Sequence, residues 1–202
     1  MFKRLFDICL SSIGIIGSSP LWLVCSLAIK LEDRGSVFYT QERVGKQGEV
    51  FWTIKFRSMV KDAEKDIGPV QAIENDPRVT KVGRILRATA MDELPQLINI
   101  LKGDMSFVGP RALRPEEREV HGNPHTTMRI EGIPNYKDRV IVRPGLTGLA
   151  QVYLPTDASR RKKFRYDLLY IKNQSLFLDL KLILLSFLIT FKGKWEHRGR
   201  KW

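Results

Sequence analysis

The feature that most constrains this sequence is an uncharged apolar segment near its N-terminus, residues 8–29. As one helix these 22 residues would be about 33 Å long, roughly the thickness of a bilayer core. The segment is longer than a typical signal-peptide core, and no small-x-small cleavage site closes it. A retained membrane segment is therefore predicted.

The middle of this segment contains Ser19 and Pro20, and both of its flanks are basic. Proline removes a backbone donor and bends or breaks a helix, and serine hydroxyls can satisfy the carbonyls that it frees. Basic residues on both flanks give no direction under the positive-inside rule. The pattern leaves a kinked single span open but favours a re-entrant hairpin over residues 1–31, broken at Ser19 and Pro20.

The rest of the chain has the composition of one folded domain. The protein has 34 basic and 22 acidic residues, a net charge of +12, which predicts an anionic partner such as nucleic acid, lipid headgroups or a phosphorylated substrate. Its two cysteines are too few for a disulfide framework or an all-cysteine zinc site.

Residue patterns predict a mixed, helix-rich α+β domain over residues 32–202. β-branched and aromatic runs at 37–40 and 50–54, separated by a glycine-containing turn, predict a hairpin. Helical spacing is found at 79–86 and 159–171, a helix plus loop is predicted at 61–77, and the polar stretch 116–129 is predicted to be an exposed loop. The apolar stretch 176–191 is predicted to be a core helix or an amphipathic helix at a membrane interface.

The segment 89–103 carries adjacent carboxylates, Asp92 and Glu93, ahead of an apolar helical face. Proline is tolerated only in the first turn of a helix, so Pro95 predicts a helix that begins close to Asp92. The simplest interpretation is a capping box, in which Thr89 and Asp92 only stabilise the helix start. A catalytic carboxylate pair is the alternative.

Arginines in glycine- and proline-rich turns favour the catalytic interpretation. Arg87 lies upstream of the carboxylates, and Arg111 and Arg143 lie in turns downstream. Arginine forms paired, charge-assisted hydrogen bonds with phosphate, and carboxylates bind hard divalent cations. A site for a phosphorylated substrate with a divalent cation is therefore predicted. Neither a P-loop nor a dinucleotide fingerprint is present.

Taken in order, the motifs resemble those of the monotopic phosphoglycosyl transferases of the bacterial sugar transferase family, and they run along nearly the whole chain. The matching residues are Ser19-Pro20, Gln41-x-Arg43-x-Gly45, Lys55-Phe56-Arg57-Ser58-Met59, Asp92-Glu93-Leu94-Pro95-Gln96, the run from Lys102 to Arg111, and Arg143-Pro144-Gly145-Leu146-Thr147-Gly148.

The resemblance implies an enzyme that transfers a sugar 1-phosphate from a UDP-sugar to a polyprenyl phosphate such as undecaprenyl phosphate, releasing UMP. It implies that Asp92 is the nucleophile, that Glu93 assists it, and that Mg²⁺ is held at Asp92. Lys55 and Arg111 are implied to hold phosphate groups, and Arg87 is implied to support the carboxylates. Arg143 is a further candidate for binding phosphate. The implied location is monotopic, on the cytoplasmic face of a bacterial inner membrane.

The chain departs from the family pattern at two positions. Ala112 stands where a second proline is common after the arginine, and Leu149 stands where a tryptophan is common. These changes leave Asp92 and Glu93 intact and bear on the shape of the sugar pocket.

Two other functions fit parts of the sequence. A nucleic-acid-binding protein would explain the positive charge, but it predicts aromatic residues interleaved with basic ones and leaves the apolar segment without a role. A non-catalytic basic membrane scaffold would require Asp92 to be only a helix cap. The resemblance favours the enzyme, with the phospholipid membrane and no nucleic acid as its partner.

Overall fold

The computed structural model describes residues 2–63, 76–115, 117–120 and 127–191. It confirms a mixed, helix-rich architecture. The helices are α1 (Phe2–Asp33), α2 (Lys81–Ala88), α3 (Gln96–Lys102), α4 (Tyr136–Arg139), α5 (Leu149–Tyr153), α6 (Arg160–Lys172) and α7 (Leu176–Phe191). The strands are β1 (Phe38–Val44), β2 (Val50–Phe56), β3 (Ser106–Val108), β4 (Arg118–Val120), β5 (Thr127–Arg129) and β6 (Gly145–Thr147).

The strands in the described part of the chain form three separate two-stranded sheets. The predicted hairpin is confirmed, since β1 and β2 are antiparallel with Gln41 opposite Thr53. The short strands β3 and β6 are parallel, and β4 pairs antiparallel with β5. The prediction of a loop over 116–129 is therefore wrong where β4 and β5 form, because polar strands pair through their backbone and leave no apolar pattern. Most of the predicted helix plus loop at 61–77 lies outside the described residues.

The N-terminal apolar segment forms one helix, α1, which extends beyond the predicted segment at both ends. The helix continues through Pro20, so the predicted break at Ser19 and Pro20 is not confirmed: helical structure is uninterrupted there. Because Pro20 has no N–H for the carbonyl of Ile16, that carbonyl accepts from the Ser19 hydroxyl at 2.8 Å. Serine thus supplies the hydrogen bond that proline removes. By length and composition, α1 is the one described helix that could cross a membrane.

The beginning of α1 is attached to the rest of the chain by buried polar contacts. Lys3 forms an ion pair with Asp179 of α7 at 2.5 Å. Asp7, which is 1% exposed, accepts hydrogen bonds from the Ser106 hydroxyl at 3.0 Å and the Phe107 N–H at 3.1 Å. These contacts fix the start of α1 against β3 and α7.

The end of α1 also contacts the folded domain, at the start of α2 and just after β2. The Glu32 carboxylate accepts hydrogen bonds from the N–H groups of Lys81 and Val82, at 2.7 and 3.1 Å, which adds a second cap to the N-terminus of α2. Asp33 pairs with Arg57 just after β2. Both ends of α1 therefore contact the domain that carries Asp92.

The cores lie on either side of the carboxylate segment. Near the end of α1, Cys25 and Ile29 pack with Phe56 and Leu86. A second cluster joins α3, β3, α6 and α7. The predicted helices at 159–171 and 176–191 are confirmed as α6 and α7, and the outer face of α7 exposes Phe177, Leu184, Phe187 and Phe191.

Candidate active site

The two carboxylates lie on a short 3₁₀ turn, Met91–Glu93, between α2 and α3. Ala90 precedes the turn in the left-handed conformation, with φ of 53°, and so reverses the chain direction after α2. A helical turn therefore begins close to Asp92, as predicted, but it is a 3₁₀ turn, and the α-helix α3 begins only at Gln96, after Pro95. The carboxylates precede that helix and are not within it.

The capping-box interpretation is wrong. Thr89 is the residue that ends α2, and its hydroxyl donates back to the carbonyls of Ile85 and Leu86, at 2.8 and 3.2 Å. The N-cap positions of the 3₁₀ turn and of α3 are Ala90 and Pro95, and neither forms a side-chain cap bond. Asp92 and Glu93 need another explanation than helix capping.

The β1–β2 hairpin brings a lysine to this turn. The ammonium of Lys55, in β2, contacts the Glu93 carboxylate at 2.5 Å, and the two side chains are 20% and 14% exposed. A pair with so little solvent contact interacts more strongly than a surface ion pair, because water screens it less. Lys55 therefore lies at the carboxylates, and its contact with a substrate phosphate stays a prediction.

Arg111 faces the same carboxylate from the turn after β3. Its Nη2 lies 4.0 Å from Oε1 of Glu93, and its side chain is 49% exposed. The backbone of this turn is held by Arg139, which donates to the Arg111 carbonyl at 2.6 Å and is itself paired with Asp167 at 2.9 Å. An anchored backbone with an exposed guanidinium is suited to binding a phosphate group.

The environment separates the acidities of the two carboxyls. Burial, together with the charge of Glu93, raises the pKa of Asp92 to about 6, although Lys55, Arg87 and Arg111 act to lower it. Burial would also raise the pKa of Glu93, but the attraction of the cations beside it, Lys55 above all, outweighs burial and lowers that pKa well below its usual range. At neutral pH Asp92 is the more basic of two carboxylates, which suits it to a nucleophilic role.

The other two predicted phosphate-binding residues have different positions. Arg87, in α2, acts on the charge of Asp92 and so lies in the electrostatic neighbourhood of the pair. Arg143 donates through Nε to the Gly103 carbonyl at 2.7 Å, at the end of α3. The structure thus brings Lys55, Arg87 and Arg111 together around the carboxylates, and it shows Arg143 in a backbone contact.

A cleft beside Glu93 includes residues to which the sequence analysis gave no role. Besides Lys55, Glu93 and Arg111, its polar lining consists of Arg43, Thr53 and Gln96. The strand register could have identified two of them, because alternate residues share one face of a hairpin and Arg43 and Thr53 share the face of Lys55. Three cations around one carboxylate give the cleft a net positive charge, which favours an anionic ligand.

The carboxylate pair is compatible with Mg²⁺ only if the substrate completes the site. No group of three or more His, Cys, Asp or Glu side chains clusters within the ranges that the structure describes. Mg²⁺ is commonly bound by one or two carboxylates together with substrate phosphates and water. Asp92 and Glu93 fit that donor set.

The chain is similar to known proteins along nearly its whole length. Residues 1–193 match the family model described as bacterial sugar transferase. A UDP-glucose:undecaprenyl-phosphate glucose-1-phosphate transferase of Klebsiella pneumoniae is 44% identical over 198 residues, which is 96% of this chain and 40% of that protein. A UDP-N-acetylgalactosamine-undecaprenyl-phosphate N-acetylgalactosaminephosphotransferase of Aeromonas hydrophila is 44% identical over 184 residues, 90% of this chain and 41% of that protein.

A smaller relative is matched over most of its length. The exopolysaccharide production protein ExoY of Rhizobium meliloti is 36% identical over 197 residues, which is 91% of this chain and 82% of that protein. The chain thus spans about two-fifths of the larger relatives and most of the smaller one. The family model covers nearly the whole chain and confirms the resemblance seen in the motifs. The chain belongs to the bacterial sugar transferase family.

Proposed function

We propose that this protein transfers a sugar 1-phosphate from a UDP-sugar to a polyprenyl phosphate, such as undecaprenyl phosphate, and so initiates assembly of a membrane-bound glycoconjugate. The observation that carries the proposal is the half-buried Asp92 beside Glu93, with Lys55, Arg87 and Arg111 around them. The relatives named as sugar-phosphate transferases to undecaprenyl phosphate support the choice of substrates.

The proposed reaction has two displacements at the sugar-bearing phosphorus. An oxygen of Asp92 attacks that phosphorus, the bond to the bridging oxygen of the diphosphate breaks, and UMP leaves with that oxygen. A phosphate oxygen of the polyprenyl phosphate then attacks the same phosphorus and releases the Asp92 carboxylate. Dividing one difficult displacement into two is the advantage of covalent catalysis.

The cations reduce the repulsion between the anionic nucleophile and the anionic donor. Lys55 neutralises Glu93, so that Asp92 approaches the diphosphate without a second uncompensated charge beside it. The half-exposed Arg111 holds a phosphate of the donor. Glu93 orients the site, or accepts a proton from the incoming lipid phosphate. Mg²⁺ held by Asp92 and Glu93 would supply further charge neutralisation at the diphosphate.

We also propose that the protein is monotopic on the cytoplasmic face of a bacterial inner membrane. The contacts of Asp7 and Glu32 attach both ends of α1 to one domain, which favours a re-entrant helix over a transmembrane span. The exposed apolar residues of α7 would lie in the membrane interface. This arrangement would bring a soluble UDP-sugar and a lipid-embedded phosphate to the same carboxylate.

The reaction is tested by incubating purified protein with UDP-sugars and Mg²⁺, with and without polyprenyl phosphate. Wild type should release UMP, and intact-mass analysis should show a phosphosugar adduct that Asp92→Asn lacks. Asp138→Asn, at an exposed position on α4, is the matched control and should behave as wild type. Substantial turnover by Asp92→Asn would refute the nucleophilic role, and absence of UMP with every donor would favour a scaffold or nucleic-acid binder.

Topology is tested in a variant without Cys9 and Cys25, with single cysteines introduced near Lys3 or near Asp33. For a re-entrant helix, a membrane-impermeant maleimide added outside spheroplasts should label neither position, whereas both should react after the membrane is opened. Labelling of one end from outside would show that α1 spans the membrane.

A further inference from the structure

A buried asparagine joins the strand that carries Lys55 to the helix that follows the carboxylates. Asn99 lies in α3 and is 1% exposed. Its Oδ1 accepts a hydrogen bond from the N–H of Ile54 at 3.0 Å, and its Nδ2 donates to the carbonyl of Trp52 at 2.7 Å. The same Nδ2 donates to Oδ2 of Asp104 at 3.2 Å. Both amide hydrogens and the amide oxygen are therefore used.

This pattern is the one that a neighbouring strand would form. In a parallel pair, one residue bonds the carbonyl and the N–H that flank a single residue of its partner, here Thr53. In the described part of the chain, β2 pairs with β1 alone, so the side-chain amide of Asn99 occupies its second edge. One side chain thus sets the position of β2 relative to α3.

The two elements joined in this way supply the two members of the ion pair. Lys55 follows Ile54 directly in β2, and Glu93 lies on the turn that leads through Pro95 into α3. A shift of β2 by a fraction of an ångström would lengthen the 2.5 Å contact between Lys55 and Glu93. We propose that Asn99 is a positioning residue for the transfer reaction, which holds Lys55 against the carboxylate pair by acting as a one-residue strand on β2.

The inference rests on the proposed function, because its test measures the rate at which UMP is released. Arg111 also lies 4.0 Å from Glu93, but it follows β3 and is not on the strand that Asn99 holds. Loss of the Asn99 amide should therefore disturb the contact that Lys55 makes with Glu93 and leave the position of Arg111 unchanged.

The test is a double-mutant cycle on the single-turnover burst of UMP, measured at neutral pH with the full chain in nanodiscs. Asn99→Ala should slow the burst about tenfold, because Lys55 is no longer held against the carboxylate pair. In a Lys55→Met background, the same substitution should slow the burst little further, because the group that Asn99 positions is already absent.

Tyr170→Phe is the matched control. Tyr170 is also 1% exposed, and its hydroxyl lies 2.7 Å from Oδ1 of Asp179 and 3.1 Å from the Val108 carbonyl. This substitution should lower thermal stability and leave the burst rate close to that of wild type. A merely structural role for Asn99 would slow the burst by the same factor with and without Lys55.

A folded Asn99→Ala protein with the wild-type burst rate, or one that loses the same factor with and without Lys55, would overturn the proposal. If that variant does not fold, Asp104→Ala decides the question, because it removes the carboxylate that accepts from Nδ2 of Asn99 at 3.2 Å. It should slow the burst by a smaller factor, and an unchanged rate would overturn the proposal. Failure of wild type to release UMP would refute the proposed function itself, whereas equal losses in an active enzyme would refute only the positioning role.

Discussion

The acidity of Asp92 gives a prediction in which two substitutions act in opposite directions. In the wild type, a carboxyl with a pKa of about 6 is about one-quarter ionised at pH 5.5 and almost fully ionised at pH 7.5. Only the ionised form can attack phosphorus, so the UMP burst should slow about fourfold between these values. A carboxyl of ordinary acidity would remain almost fully ionised over the same range.

Lys55 and Glu93 act on Asp92 with opposite signs. Lys55→Met removes a cation that stabilises the Asp92 carboxylate. The acid limb, which is the pH range over which the burst rate falls on acidification, should therefore move to higher pH by about one unit. Glu93→Gln removes a neighbouring anion, so the limb should move to lower pH.

The assay is a single-turnover burst of UMP with enzyme in excess and without polyprenyl phosphate, so that ionisation of the lipid acceptor does not contribute. Rates are normalised to the plateau of each variant, because both substitutions will also lower the rate itself. Lys102→Met, at an exposed position on α3, is the charge-matched control and should keep the wild-type limb. Shifts in the same direction for Lys55→Met and Glu93→Gln, or a wild-type limb near pH 4, would refute the electrostatic reasoning.

Three further predictions follow from the surroundings of individual side chains. Asp92→Asn should stabilise the protein at pH 8 by up to about 3 kcal/mol, because a carboxyl whose pKa is raised in the folded state destabilises that state once it ionises. Below pH 4 the substitution should not change stability, and thermal unfolding at pH 8 and below pH 4 checks both results. Asp167→Asn should leave Arg139 without its buried charged partner and destabilise the fold by about 3 kcal/mol. Because Arg139 holds the turn that carries Arg111, the substitution should also raise KM for the UDP-sugar more than it lowers kcat, and an unchanged KM in steady-state kinetics would contradict this. Ser19→Ala should lower the unfolding free energy in detergent by about 1 kcal/mol, because it leaves the Ile16 carbonyl without the hydroxyl that replaces the proline N–H. An unchanged melting temperature would show that another group satisfies that carbonyl.

The sequence by itself determined the features that depend on local patterns. Apolar runs and periodicity located α1, α6, α7 and the β1–β2 hairpin, because burial of one face leaves a periodic record along the chain. The order of short motifs was sufficient to identify the family, and it pointed to Asp92 and Glu93. Strands of three residues left no comparable pattern, so β4 and β5 were missed.

Only the tertiary structure decided which groups each charged residue contacts, because charged positions show no periodic pattern and their partners are distant in sequence. Thr89 and Asp92 have the spacing of a capping box, yet Thr89 ends the preceding helix. Lys55 reaches Glu93 across 38 positions, and Asn99 reaches β2 across 45. Such contacts form through long-range packing of elements, which local sequence cannot encode.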